Sequence, residues 1–228
     1  MSPDAPPPAA GSALTAPRAP TVAGPVTVET VVKKSRFLAH LSPVTDVTHA
    51  ESVITAVRKE HWDARHHCVA MIVGAERAMQ RSSDDGEPSG TAGAPMLTTL
   101  QQSGLTDVVV VVTRWFGGTL LGTGGLVRAY SGAVSTALDA ARILRRVRVQ
   151  ELTVDAPHAE AGRISAFLHA WVPDHGGTVL APVYDDVAHL PVLVPPAHVP
   201  AFDAALAETT LGRATAVRGE VRVVERSD

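Results

Sequence analysis

The stretch "DVVVVVTRWFGGTLLGTGGLVRAYSGAVSTALDAAR", residues 107–142, decides how the first half of the chain is read. Its start, Asp107 to Trp115, is apolar on both faces, as in a strand buried from two sides. Its end, from Leu126, carries Leu126, Tyr130, Ala133, Ala137 and Ala141 on one helical stripe. Between them five glycines, Gly117, Gly118, Gly122, Gly124 and Gly125, fall within nine positions. Each glycine costs roughly 0.5–1 kcal/mol against alanine inside a regular element, so the junction must need bare backbone.

A strand, a glycine loop and a helix start make a physical recipe for anion binding. The first amides of a helix have no intrahelical acceptor, and the dipole adds about half a positive charge. Glycines let an anion approach those amides. Arg114 before the loop and Arg128 one turn into the helix could add guanidinium forks, and Thr119 and Thr123 hydroxyl donors. No standard nucleotide motif is present: no lysine follows Gly122, and position 127 is Val where a dinucleotide motif needs glycine. A purely architectural use of the glycines, for tight turns and close packing, remains open.

Outward from this junction the chain reads as strands and helices in alternation. "VTVETVVKK" and "SRFLAHLSPV" are two strands joined at "KKSRF", residues 33–37. "DVTHAESVITAVRKEH" has Val47, Ala50, Val53, Ile54 and Val57 at helical spacing, with Thr48 as N-cap. "HHCVAMIVG" is an internal strand. "AMQRSSDDGEPSG" is a short strand running into a loop. "GAPMLTTLQQSG" is a helix with Pro95 near its start and Gly104 past its end.

After the basic run "RILRRVRV" the order is strand, helix, strand, strand, helix, strand, the ferredoxin-like βαββαβ pattern. The expected fold class is therefore α+β, with a tail over residues 1–25, a first domain over 26–144 and a ferredoxin-like domain over 145–228. The tail holds seven Pro and seven Ala with only Asp4 and Arg18 charged, and is expected to add nothing to the core.

Composition narrows the class of function. The chain has 228 residues, 45% of them hydrophobic, and a formal net charge of −3, without a global nucleic-acid signature. Of its 20 basic residues, 17 are arginine, suited to phosphate or carboxylate but also to codon bias. A single cysteine, Cys68, fits a reducing compartment. No secretion signal or spanning stretch is apparent, so the expectation is a cytoplasmic protein without a membrane partner.

Two more patches could carry chemistry. In "SSDDGEPSGTAG", residues 82–93, Asp84, Asp85 and Glu87 surround Gly86. They could hold Mg²⁺, orient a water, accept from arginine, or form a capped turn. In "DARHHCVA", residues 63–70, His66 and His67 point to opposite faces of a strand and Cys68 points with His66. Two such ligands are too few for zinc, so buried histidines and a core cysteine are expected, and no metal is assigned. Lys33, Lys34 and Arg36 of the KKSRF turn would join a phosphate-binding face if they lay beside the glycine loop.

Taken in order and spacing, "KKSRF", "DARHHCVA", "SDDGEPSGTAGAPML" and "VVVTRWFGGTLLGTGGLVRAY" resemble the YigZ/IMPACT family over residues 26–145. The remainder resembles the small C-terminal domain of bacterial members. Trp62 stands where a proline is common. The resemblance implies, for the first domain, the fold of the second domain of ribosomal protein S-five, with a left-handed βαβ crossover against the usual rule. For the second it implies a ferredoxin-like domain similar to those of elongation factor G. It also implies a link to translation, with RNA or ribosomes as candidate partners by fold analogy.

Eukaryotic members act on a kinase activator through an additional RWD domain, so no RWD-mediated partner is expected here. Arg36, His66, Asp84, Asp85, Glu87, Gly117, Gly118, Gly122, Gly124 and Gly125 match family motif positions as ligand-binding candidates. No catalytic set and no cofactor follow. Three readings stand: an RNA- or ribosome-binding module that could also take a phosphate-containing small molecule, a metal-assisted hydrolase or phosphotransferase on an anionic substrate, and a pure interaction protein.

Overall fold

The structure, a computed structural model, describes residues 19–227. The chain divides between Arg146 and Val147 into two compact units. In the first, a five-stranded sheet has the order β2-β3-β6-β4-β5, built from β2 (Val26–Val32), β3 (Ser35–Pro43), β4 (His66–Val73), β5 (Met79–Ser83) and β6 (Val108–Trp115). Every neighbouring pair in it is antiparallel. β3 and β4 therefore run parallel on either side of β6, joined across it by α1 (Val47–Glu60).

Strand parity decides which layer each residue joins. Val108, Val110 and Val112 of β6 face the side covered by α2 (Gly93–Ser103) and α3 (Thr123–Asp139), together with Phe37, Ala39, Leu41, Cys68, Ala70 and Ile72. Val109 and Val111 face α1, together with Val69, Met71 and Val73. All five valines of Val108–Val112 are fully buried. Full burial of one such side chain stabilises by roughly 1.5–3 kcal/mol, so β6 anchors both layers. The doubly apolar run thus becomes the middle strand.

Local signals set most element ends. Gly104 closes α2 with a left-handed φ of 73°. α1 is capped by Asp46 and not by Thr48: its carboxylate accepts the His49 N–H at 2.8 Å from an extended backbone, which leaves Thr48 inside the first turn. α3 begins at Thr123, two residues before the expected start, because Gly122 already accepts the first intrahelical bond, from Leu126 N–H at 2.9 Å.

The expected tail needs a correction. Residues 1–18 lie outside the described residues, but Thr21–Val22 form β1, antiparallel to Ile143–Leu144 of β7 (Ile143–Ala156). Val22 is 1% exposed within the first core. A single β-branched pair after Pro20 finds a strand partner, and a reading averaged over 25 residues of Pro and Ala could not show it.

In the second unit the strand order is β11-β7-β10-β8, with the short β9 also on β10. Its elements are α4 (His158–Asp174), β8 (Thr178–Val179), β9 (Val183–Tyr184), β10 (Ala188–Val194), α5 (Val199–Thr210) and β11 (Ala216–Ser227). One apolar face, Leu152, Val154, Leu190, Val192 and Val194, packs on Ile164, Leu168, Phe202 and Leu206 of the two helices. This is the ferredoxin-like arrangement. The chain as a whole is α+β.

Gly117 answers part of the glycine question. A Cβ there would sit 2.0 Å from the Lys34 carbonyl carbon and 2.3 Å from the Ser35 nitrogen, both backbone atoms that cannot yield. Gly117→Ala should therefore lower unfolding stability by about 2–4 kcal/mol in urea titrations, as overpacking against main chain does. A change below about 0.5 kcal/mol would contradict that packing.

Candidate functional site

The site grows from the end of β6. In register, Arg114 pairs with Phe37 and Trp115 with Arg36, so Arg114 points to the α2/α3 side and Arg36 to the α1 side. The chain then turns against the β2–β3 hairpin, where Gly117 N–H donates to Ser35 Oγ at 3.1 Å. Gly118 and Gly122 take positive φ values of 84° and 72°. At Gly122 this conformation starts α3 without any side-chain cap. The N–H groups of Thr123, Gly124 and Gly125 have no acceptor among the described residues. Thr123 and Gly124 are exposed and Gly125 is half-buried. As first-turn amides, none of the three has an acceptor inside the helix.

Cations stand around this helix start. The Arg128 guanidinium folds back over the first turn, 3.5 Å from where a Cβ on Gly124 would lie. Arg128, Lys33 and Gly125 line a hollow of about 170 Å³. The KKSRF turn thus does lie beside the glycine loop. On the other side of the helix start a pocket of about 580 Å³ opens. Its polar wall holds Arg65, His66, Glu87, Arg114 and Thr123, and its apolar wall Pro88, Phe116, Leu120, Leu121 and Leu126, with Gly86 and Gly122 between them.

Behind the pocket lies a buried polar network. Arg114 Nη1 donates to Glu87 Oε1 at 2.5 Å, with both side chains under one-tenth exposed. Tyr130 Oη donates to the same oxygen at 2.7 Å. Arg114 Nη2 reaches Ser35 Oγ at 3.5 Å, and Arg114 Nε has no partner. Burial pushes the Tyr130 hydroxyl well above its ordinary pKa, reinforced by Cys68 and Glu87, so it stays a donor. Burial also pushes the Cys68 thiol up to about 12, with the neighbouring Tyr130 hydroxyl acting in the opposite direction. Cys68 is therefore a protonated core residue that donates to the Asp84 carbonyl at 3.0 Å.

The three carboxylates of the acidic loop do not converge. Asp84 accepts the N–H of Gly90 at 2.7 Å, Ala92 at 3.0 Å and Gly93 at 2.8 Å, which fastens the start of α2. Asp85, with φ of 43°, accepts His67 N–H at 2.7 Å and Arg58 Nη2 at 2.9 Å. Glu87 is inside the network. Among the described residues no three His, Cys, Asp or Glu side chains are placed to hold a metal ion. A shared Mg²⁺ at this loop, one of the sequence-based readings, therefore has no ligand set. Each carboxylate was already needed by N–H donors or arginine.

The other candidates divide by sheet face. His66, in the pocket wall, bonds the Asp85 carbonyl through Nδ1 at 2.9 Å. A carbonyl only accepts, so Nδ1 carries the proton and Nε2 is left as an acceptor. His67 points the other way, with Nε2 on the His61 carbonyl at 3.0 Å. Arg36 does not reach the pocket: it pairs with Glu29 at 2.7 Å and lies over the Trp115 indole at 4.7 Å. The structure brings together His66, Glu87, Arg114, Gly122, Thr123, Gly124, Gly125 and Arg128. It uses Asp84, Asp85, Gly117 and Gly118 to hold the loops.

Sequence reasoning missed Arg65, one position before His66 in a quoted motif, and the apolar wall. Phe116, Leu120 and Leu121 carried no reading of their own beside the glycines. Their exposure signals otherwise: Phe116 is 47% and Leu120 84% exposed.

These features define a two-unit α+β protein whose first unit holds an open pocket at an uncapped helix start. The Impact N-terminal domain family matches residues 33–138, and a domain of unknown function, DUF1949, matches residues 154–213. The chain is 42% identical over 192 residues to IMPACT family member YigZ of Escherichia coli, covering 83% of this chain and 92% of that one. It is 36% identical over 200 residues to IMPACT family member YvyE of Bacillus subtilis, covering 87% and 90%. The protein named IMPACT of Rattus norvegicus is 35% identical over 95 residues, covering 40% of this chain and 29% of its own. A crystal structure described as that of a hypothetical protein matches with a TM-score of 0.56 and 38% identity, covering 90% and 98%. The chain belongs to the IMPACT family, with the two-domain layout of its YigZ members. No helix among the described residues is long and apolar enough to cross a membrane.

Two measurements test the network. Glu87→Ala leaves a buried, uncompensated guanidinium and should cost about 3–5 kcal/mol of stability in denaturant, with Arg114→Met in the same chain restoring part of it. For Asp84, burial raises the carboxyl pKa, but the Gly90, Gly93 and Ala92 amides outweigh it and the net shift is downward. A lowered folded pKa gives stability that is complete above the unfolded value of about 4 and is lost as pH falls through the folded one. Asp84→Asn should therefore lower stability at pH 7 and flatten its loss below about pH 4. An unchanged acid limb in the variant would contradict this.

Proposed function

We propose that this protein is a non-catalytic RNA-binding module linked to translation, and that it grips backbone phosphate at the start of α3. One observation carries the reading: three bare, solvent-facing amides at Thr123–Gly125, flanked by Arg128 and Lys33 on one side and Arg65 on the other. Amides and dipole together favour an anion, and the flanking cations raise its local concentration. The charge is local, which is why a chain of net charge −3 can still present such a face. The link to translation is what the family resemblance implies. A cytoplasmic setting agrees with it.

A phosphate-containing small molecule would use the same amides and is a second outcome of the same experiment. The metal-assisted hydrolase reading has less support, because Asp84, Asp85 and Glu87 are each held by protein donors.

Filter binding of RNA at 50 and 200 mM salt tests the proposal. Affinity should fall steeply between the two, since each phosphate contact releases condensed counterions. Thr123→Glu is the diagnostic variant. A carboxylate in the first turn suits the helix dipole and should keep or raise the melting temperature, by about 0.3–1 kcal/mol of stability. The same carboxylate competes for the amides and should abolish binding. Undiminished RNA binding by a well-folded Thr123→Glu protein would refute the proposal.

A further inference from the structure

We infer that the 580 Å³ pocket beside the start of α3 takes one unpaired nucleotide, with its base against Phe116 and Leu120 and its phosphate on the Thr123–Gly125 amides. This rests on the phosphate-binding reading above and goes beyond it, because it makes the RNA single-stranded at this point.

A phosphate grip alone needs neither the volume nor the apolar wall. The pocket falls within the ~300–1,000 Å³ range of small-molecule sites. Phe116 and Leu120 are large apolar side chains left 47% and 84% exposed, right beside bare amide donors. The Arg114 guanidinium lies 5.8 Å from the Phe116 ring centroid, supporting it as a platform. A ligand that covers that wall while its anionic end sits on the amides must be flat or apolar at one end and charged at the other.

The polar wall narrows the choice further. His66 is held by its Nδ1–H on the Asp85 carbonyl, which leaves Nε2 as an acceptor for an N–H donor. Arg114, only 7% exposed at its side chain, lines the same pocket and brings a guanidinium charge to its wall. A stacking surface, a guanidinium and an imidazole in one pocket, with the start of α3 at its edge through Thr123, fit a nucleotide. A duplex keeps its bases stacked and paired and cannot offer one, whereas unpaired segments can splay a base onto an aromatic ring.

The test uses the full chain and four probes: a short single-stranded oligoribonucleotide, the same strand annealed to its complement, AMP and inorganic phosphate. The single strand should bind about tenfold or more tightly than the duplex at equal salt. AMP should displace it at lower concentration than phosphate. Phe116→Ala and Leu120→Ala should each weaken single-strand binding several-fold and leave duplex binding unchanged; Leu120 is exposed enough that its variant folds normally. Equal affinity for single strand and duplex overturns the nucleotide pocket. So does an absence of effect from both wall variants while Thr123→Glu still abolishes binding; in either case the phosphate reading stands. No binding of any probe overturns both.

Discussion

The buried contact of Arg114 with Glu87 and Tyr130 is what the shape of the pocket depends on. It ties the end of β6, the acidic loop and the middle of α3 to a single carboxylate oxygen. Taking two charges out of water is expensive, and such a pair is rarely better than apolar packing for stability alone. Its gain is positional. With Glu87 inside, the loop from Asp84 to Thr91 must fold over the sheet, and that brings His66 and Gly86 to the pocket. With Tyr130 bound, α3 is held so that its first turn opens beside Arg65 and Phe116.

The carboxylates show how a sequence pattern misleads when partners are unknown. Three acidic residues in four positions suggest a shared cation. Here each is matched to a different donor set: the amides leading into α2, the His67 amide of β4 with Arg58, and the buried arginine with Tyr130. What looks like a metal cluster along the chain is three separate fasteners in space. The glycines divide in the same way. Gly117 is required by main-chain contact with the hairpin and Gly122 by its backbone angle. Bare amides at 123–125 are a consequence of a glycine cap, since Gly122 has no side chain to satisfy them.

The pocket sits directly against the buried network. Cys68 is held protonated by burial, and Glu87 is already engaged by two donors. His66 and Glu87 both line the pocket, and the two donors to Glu87 share its Oε1.

The alternation along β2, the doubly apolar runs of β4 and β6, the ferredoxin-like order after residue 145 and the strand–glycine–helix junction were legible from residue order, because period and capping are local properties. The opposite facing of His66 and His67 followed from the pleat alone. Other matters waited for tertiary structure. Residues 21–22 joined a strand whose partner lies more than 120 positions away, and no local pattern announces that. Arg36 and Arg114 look equivalent along the chain, yet pairing register sends them to opposite faces of one sheet. Lys33 reached the helix start only because Gly117 lets two loops touch. Local sequence dictates periodicity and backbone freedom, while side-chain partnership depends on which distant strands pair, and pairing is decided by the packing of the whole core.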